Sequence, residues 1–259
     1  MELIIASKWY GNFRRLFMAD IAINLSEQKG EFRETVKKML PDQANLNICL
    51  TCGTCAAGCP ATGFENMDPR KFVRMMALGM DEEVKTTKWA WFCTMCMRCI
   101  YACPMKVDIP GMIGLVRKFW PAEEKPKGIM DSCAMALRSD TCSAMGASEE
   151  DFEFVVEDVA EEVREEQEGW ENLEVPINKQ GAKYYLNQNS REPVTEPDEM
   201  VPLWKIMNTV GADWTYGTKG WAAENYCLFA QDWESWEHII RVKAKAVDDL
   251  GCKYWLNTE

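Results

Sequence analysis

The chain has a single histidine, His238, in 259 residues. A haem held by two histidines of this chain is therefore excluded. No Cys-x-x-Cys-His string offers covalent haem attachment either. No apolar run approaches the roughly 18 residues of a membrane-spanning helix. Positive charge is scarce: 29 Lys and Arg face 41 Asp and Glu, a net charge of −12. That balance argues against a nucleic-acid partner. The opening residues do not read as a secretory signal. The twelve cysteines are thus expected in the cytoplasm, where cysteines more often bind metals or do chemistry than form disulfides.

Those cysteines are ordered. Cys49-x-x-Cys52-x-x-Cys55-x-x-x-Cys59-Pro60 is followed by Cys93-x-x-Cys96-x-x-Cys99-x-x-x-Cys103-Pro104. Each copy is the bacterial ferredoxin run for a [4Fe–4S] cluster. Thiolate is the soft ligand such clusters select. Zinc prefers separated cysteine pairs or Cys/His sets, and disulfide frameworks belong to short secreted chains. Two copies predict two clusters and passage of electrons. In two-cluster ferredoxins the fourth cysteine of each run serves the other cluster. Cys49, Cys52, Cys55 and Cys103 are then expected to hold one cluster, and Cys93, Cys96, Cys99 and Cys59 the second. Met95, Met97, Met105, Trp89, Trp91 and Phe92 surround the second run and are expected to form an apolar shell that tunes cluster potential.

The segment Met1 to Asp20 carries Lys8, Arg14 and Arg15 among Trp9, Phe13, Leu16 and Phe17. It reads as an amphipathic segment, packed on the domain or docked at a membrane surface. A helix is expected from Gly30 to Leu40, stopped by Pro41. Asp68-Pro69 supplies an N-cap and a first-turn proline for a second helix, with Gly79 beyond its end. The two cysteine runs begin 44 residues apart, so a helical insert separates them. A short helix is expected from Met112 to Trp120. Residues 149–168 hold eleven acidic residues and one basic. Within them Phe152, Val155, Val156, Val159 and Val163 recur at helical spacing. Residues 169–200 read as an extended connector. Thereafter helices at 202–210, 222–230 and 233–250 alternate with strands at 212–216 and 253–257, the pattern of a parallel α/β unit. Roughly 60 such residues make a marginal core.

The paired runs, with Asp68-Pro69-Arg70-Lys71, Leu78-Gly79 and Trp91-Phe92-Cys93, resemble the C-subunit type of heterodisulfide reductase. The tail resembles the start of a CCG domain, a cysteine-rich module that holds an unusual cluster at a disulfide-reducing site. The matching residues are Gly211-Ala212-Asp213-Trp214-Thr215, Ala223-Glu224-Asn225-Tyr226-Cys227 and Trp255-Leu256-Asn257-Thr258-Glu259. That order resembles the K subunit of the Dsr membrane complex and its Tmc and Hmc relatives. The resemblance implies an α+β protein: a mostly helical two-cluster domain over 1–120, a linker with an acidic helix over 121–200, and a partial CCG domain over 201–259. Two departures stand out. Tyr226-Cys227-Leu228 occupies the place of Cys-Cys-Gly, and the expected Cys-Gly-His after Glu259 is absent. A selenocysteine codon read as a stop, or a fragment, would account for the second.

The resemblance further implies an electron-relay subunit of a hetero-oligomeric complex in dissimilatory sulfur metabolism. Its partners would be a membrane quinone-interacting cytochrome subunit and a small DsrC-like sulfur-carrier protein. The chain would lie on the cytoplasmic face of the membrane through those subunits. A third, non-cubane [4Fe–4S] cluster belongs to the complete CCG domain. Cys227 is the candidate catalytic residue, as redox thiol or cluster ligand, with a plain buried cysteine as the alternative. Cys252 reads as structural. Cys133 and Cys142 read as spare thiols in a loop-like stretch. The alternative function is an iron–sulfur subunit of a flavin-dependent dehydrogenase, such as glycolate oxidase or anaerobic glycerol-3-phosphate dehydrogenase.

Overall fold

The structure, a computed structural model, describes residues 23–40 and 45–258. The amphipathic segment Met1 to Asp20, Pro41 and Glu259 lie outside the described residues. The chain divides into two compact units, Met1–Val116 and Arg117–Glu259.

The first unit is helical. Its helices are α1 (Glu31–Met39), α2 (Thr54–Ala57), α3 (Pro69–Ala77), α4 (Asp81–Thr86), α5 (Arg98–Ala102) and most of α6 (Ile109–Lys118), whose last two residues belong to the second unit. In α1, Phe32 and Val36 are buried one turn apart. Glu31 and Glu34 sit in its first turn, and Lys37 and Lys38 in its last, complementing the helix dipole. Asp81 ties α1 to α4 by accepting the Phe32 N–H at 2.9 Å. Asp68 caps α3 as its sequence position suggests, accepting the Lys71 N–H at 2.8 Å. Phe72, Val73 and Met76 are its buried face. Gly79 follows at φ +73°, and a Cβ there would stand 3.0 Å from the Gly30 Cα. Only glycine allows both the left-handed turn and that backbone approach.

α6 begins at Ile109, three residues before the expected start. Pro110 is tolerated in the first turn, where its missing N–H costs nothing. Asp108 caps the turn by accepting the Gly111 N–H at 2.9 Å.

The second unit contains α7 (Lys127–Arg138), α8 (Glu149–Glu166), β1 (Tyr184–Leu186), α9 (Arg191–Thr195), α10 (Val201–Thr209), β2 (Trp214–Tyr216), α11 (Tyr226–Phe229), α12 (Trp233–Asp249) and β3 (Tyr254–Leu256). The acidic helix α8 opens with a capping box between Ser148 and Asp151. It buries Phe152, Val156, Val159, Ala160 and Val163, while its charges face solvent. The three strands form a parallel sheet in the order β2-β1-β3. Tyr185 of β1 pairs with Thr215 on one side and Trp255 on the other.

The middle strand β1 corrects the reading of 169–200 as a connector. Its three residues are too few to show an alternating pattern, and pairing on both edges supplies its order. The helix expected over 222–230 is shorter, because Ala222 bridges to Gln188 at the sheet's end. Cys133, expected in a loop, lies on α7.

Candidate metal centre

The two cysteine loops repeat in backbone as well as in sequence. In the first, Thr51 and Gly53 take φ of 56° and 86°. At the equivalent places in the second, Met95 and Met97 take 54° and 63°. Left-handed conformations are uncommon for side-chain-bearing residues, most of all for β-branched Thr51. Each costs on the order of 1–3 kcal/mol and persists only where its surroundings dictate it. The turns wind the loop tightly and point backbone donors inward, as where the Met95 N–H donates to Cys93 Sγ at 3.4 Å. Each loop then enters a one-turn helix, α2 or α5, and these two pack together. Arg98 fastens the pair by donating to the Gly58 carbonyl at 3.0 Å. The buried Trp89 indole donates to the Ala61 carbonyl at 2.8 Å, fixing the turn after Cys59.

The fourth cysteine of each run lies with the other run. Cys103 joins Cys49, Cys52 and Cys55 around one cavity, with Arg70, Val73 and Ile109 also in its wall. Burial pushes the Cys55 thiol up to about 11, and the nearby charges of Cys49 and then Cys103 add to it. Burial likewise pushes Cys99 up to about 12, followed by Cys93 and Cys59. The exposed thiols behave oppositely. Cys52 is lowered, first by the Thr54 hydroxyl at 3.3 Å, and Cys96 first by the Arg98 backbone N–H.

This donor set suits a cubane cluster. It is thiol only, and metal binding drives off the protons that burial retains. Among the described residues no three His, Cys, Asp or Glu converge on a single ion. A cubane instead spreads its thiolates over separate irons. The apolar surround is incomplete: Trp89 is buried, Met95 and Met105 are half-buried, and Met97 and Phe92 are exposed. Phe92 stacks on Phe64 with ring centroids 5.2 Å apart.

The second unit gathers its cysteines differently. Cys133, Cys142 and Cys227 are buried in one apolar cluster with Ala136, Ala230 and Ile239. Cys227 lies in α11 and Cys133 on α7, in the same cluster. The neighbouring Cys227 thiol holds Cys133 below the ordinary thiol range, and Cys133 followed by burial holds Cys227 above it. Burial pushes Cys142 up to about 11. Cys252 stands apart, half-buried beside Tyr185, Ala246 and Val247. Sequence reasoning missed that Cys133, Cys142 and Cys227 share one cluster, since Cys227 is far from the other two in the chain and no spacing motif links them.

It also missed the polar groups beyond the carboxyl ends of β1 and β2. The Asn187 amide donates to the Gly220 and Trp221 carbonyls at 2.6 and 3.0 Å. The Tyr216 hydroxyl donates to Gln188 Oε1 at 2.5 Å. The buried Glu224 carboxylate accepts from the Ser190 hydroxyl and from the Ala144 N–H. A cavity of about 580 Å³ lies beside them, lined by Asn189, Ser190, Arg191, Glu224, Tyr226 and Phe229 among others. Open parallel sheets place their ligand sites at such strand ends. The polar run Asn187-Gln188-Asn189-Ser190 after Tyr184-Tyr185-Leu186 was the available signal.

The family described as 4Fe-4S dicluster domain matches residues 48–108. Over 87 residues the chain is 37% identical to the C subunit of the ferredoxin:CoB-CoM heterodisulfide reductase of Methanosarcina acetivorans, covering 33% of this chain and 35% of that protein. It is 30% identical over 89 residues to the iron-sulfur C subunit of the CoB–CoM heterodisulfide reductase of Methanopyrus kandleri, covering 34% and 46%. It is 31% identical over 94 residues to the C2 subunit of the H2/formate:CoB-CoM heterodisulfide,ferredoxin reductase of Methanococcus maripaludis, covering 34% and 50%. The matches thus span half or less of these relatives. The chain therefore carries a 4Fe-4S dicluster domain with two [4Fe–4S] clusters, similar to that of heterodisulfide reductase C subunits.

Proposed function

We propose that this chain is the electron-relay subunit of a heterodisulfide reductase-like complex. The observation that carries the reading is the crossed placement of the fourth cysteines, Cys103 with the first run and Cys59 with the second. In this reading Cys49, Cys52, Cys55 and Cys103 hold one cluster, and Cys93, Cys96, Cys99 and Cys59 the other. When bound, the clusters supply one-electron chemistry. The chain's own residues hold them close together, turn N–H groups toward sulfur and shield part of the site from water.

The far end of the relay is a thiol/disulfide or trisulfide site, in the manner of the K subunit of the Dsr complex. Residues 201–259 are then the start of a CCG domain, with Cys227 at its reactive end. The parallel sheet and the polar cavity beyond its strand ends support that part. The proposed partners are a quinone-interacting membrane cytochrome and a small DsrC-like sulfur carrier. Among the described residues no helix is long and apolar enough to cross a membrane, so membrane contact is assigned to the cytochrome.

Anaerobic reconstitution tests the reading. Iron analysis and EPR of the reduced protein are expected to count two cubanes per chain. Fewer than two would refute the relay.

A further inference from the structure

The chain carries a net charge of −12, yet one helix beside the cysteine loops is cationic on its exposed side. α3 turns Arg70, Lys71 and Arg74 to solvent and buries Phe72, Val73 and Met76. None of its nine residues is acidic.

That arrangement works against the helix. Negative side chains are stabilising at a helix N-terminus and positive ones at its C-terminus. α1, α4 and α8 conform, opening on Glu31, Asp81 and Glu149. α3 opens instead on Arg70 and Lys71, directly after Pro69. Asp68 offsets part of this as the cap, accepting the Lys71 N–H at 2.8 Å. Arg70 and Arg74 stand four residues apart, where like charges repel. The Lys71 ammonium donates to the Asn66 carbonyl at 2.7 Å, which leaves its charge uncompensated. Among the described residues no carboxylate is ion-paired with any of the three.

The cationic stripe begins at a cluster site. Arg70 lines the cavity of Cys49, Cys52, Cys55 and Cys103. Its Cδ stands 3.8 Å from where a Cβ at Gly53 would lie, so it rests against the first loop. Leu50 lines the same cavity and is 66% exposed, and Cys52 is exposed beside it. An apolar centre within a charged rim is how interfaces are built, and the rim charges set the rate of encounter.

We propose that Leu50, Arg70 and Arg74 form the docking surface for a one-electron carrier protein whose own redox centre is rimmed by carboxylates. The proposal rests on the relay reading for the passage of electrons. Charge complementarity selects the partner. The surface is locally positive in a chain of net charge −12, so it draws in an acidic face that the molecule as a whole repels. The exchange moves one electron between carrier and chain. One is oxidised by one electron, the other is reduced by one, and no atom or proton transfers. An anionic lipid surface would match the charge, but it brings no redox centre to Cys52.

The test uses the full chain with both clusters reconstituted. The probe is a plant-type [2Fe–2S] ferredoxin of net negative charge, mixed by stopped flow in the direction that the measured potentials favour. A second-order rate that falls steeply with added salt is expected, as for steered association. The Arg70→Gln, Arg74→Gln double variant should lose about tenfold or more of the low-salt rate and approach the wild type at high salt. Lys85→Gln removes a lysine already paired with Glu82 at 2.8 Å, and should stay within about twofold. Basic cytochrome c, a probe of opposite charge, should react with the double variant no more slowly than with the wild type. A structural fault would slow both carriers.

A salt-independent rate overturns the proposal, as does a double variant as fast as the wild type. So does a shift in cluster potential that by itself accounts for the slower rate, which would make Arg70 a counter-ion of the cluster. The double variant may also be compared on vesicles of phosphatidylglycerol and phosphatidylcholine in equal parts, and by sedimentation velocity. Loss of vesicle binding or of self-association there, with the carrier rate unchanged, overturns the proposal in favour of a membrane or a second copy. Iron and EPR on the same samples count the cubanes. Fewer than two refutes the relay, whereas two with a salt-independent rate refutes the docking surface alone.

Discussion

Crossed ligation makes a prediction that single substitutions cannot settle and paired ones can. The structure sets Cys103 beside Cys49 and Cys55, and Cys59 beside Cys93 and Cys99. Two cubanes hold about eight irons, four each. Cys103→Ala removes one corner ligand and should cost one cluster, leaving about four irons per chain. Adding Cys52→Ala strikes the same ligand set, so the double variant should also hold about four. Adding Cys96→Ala instead strikes the other set, and that double variant should hold about none. Residues acting as one unit are non-additive in this way, and residues in separate units add. If each run served its own cluster, the two double variants would exchange results. The assay is iron and sulfide analysis after parallel reconstitution, with EPR of the reduced proteins. A three-iron remnant has its own EPR signal and is assigned to the damaged cluster. Equal iron in the two double variants would refute the crossed assignment, and so would the exchanged result.

Two other outcomes follow from local geometry. A Cβ at Gly111 would stand 2.3 Å from Asp108 Oδ2, so Gly111→Ala should displace the cap of α6. The cost is about 0.5–2 kcal/mol, read as a lower thermal midpoint; an unchanged midpoint would show that the cap contributes nothing. Asp213 accepts from the Lys179 ammonium at 2.7 Å and the Lys183 N–H at 3.0 Å, and these bonds hold its carboxyl below the ordinary range. A depressed carboxyl adds stability that is present above its unfolded value, about 3.9, and is lost as pH falls through the lower folded value. Asp213→Asn should therefore speed amide exchange in β1 at neutral pH, with the gap from the wild type closing in acid; a gap that persists in acid contradicts the assignment.

The chemistry of the first unit was legible because it is local. Cysteine spacing, Asp68-Pro69 and Gly79 each specify conformation within a few residues, and the structure places the cap and the glycine turn where those residues suggest. The stripe of α8 was legible for the same reason: Phe152, Val156, Val159 and Val163 repeat within one helix. The second unit was legible only in part. β1 carries too few residues to show a period, and its flanking polar residues suggest a connector. Only pairing with β2 and β3, strands that come later in the chain, makes it the centre of a sheet. Asp108 was overlooked as a cap because Pro110 beside it resembles a stop signal.

The metal chemistry is written in the cysteine spacing. Thiolates at fixed short spacing, repeated once, specify two iron–sulfur loops whatever surrounds them. Tertiary structure decided which residues from distant parts of the chain share a site. The packing of α2 against α5 sets Cys103 and Cys59 across from their own runs. The packing of α7 against α11 brings Cys133 and Cys227 into one apolar cluster. Neither meeting is encoded in any short string, because each depends on the burial of apolar faces that only the folded chain brings together.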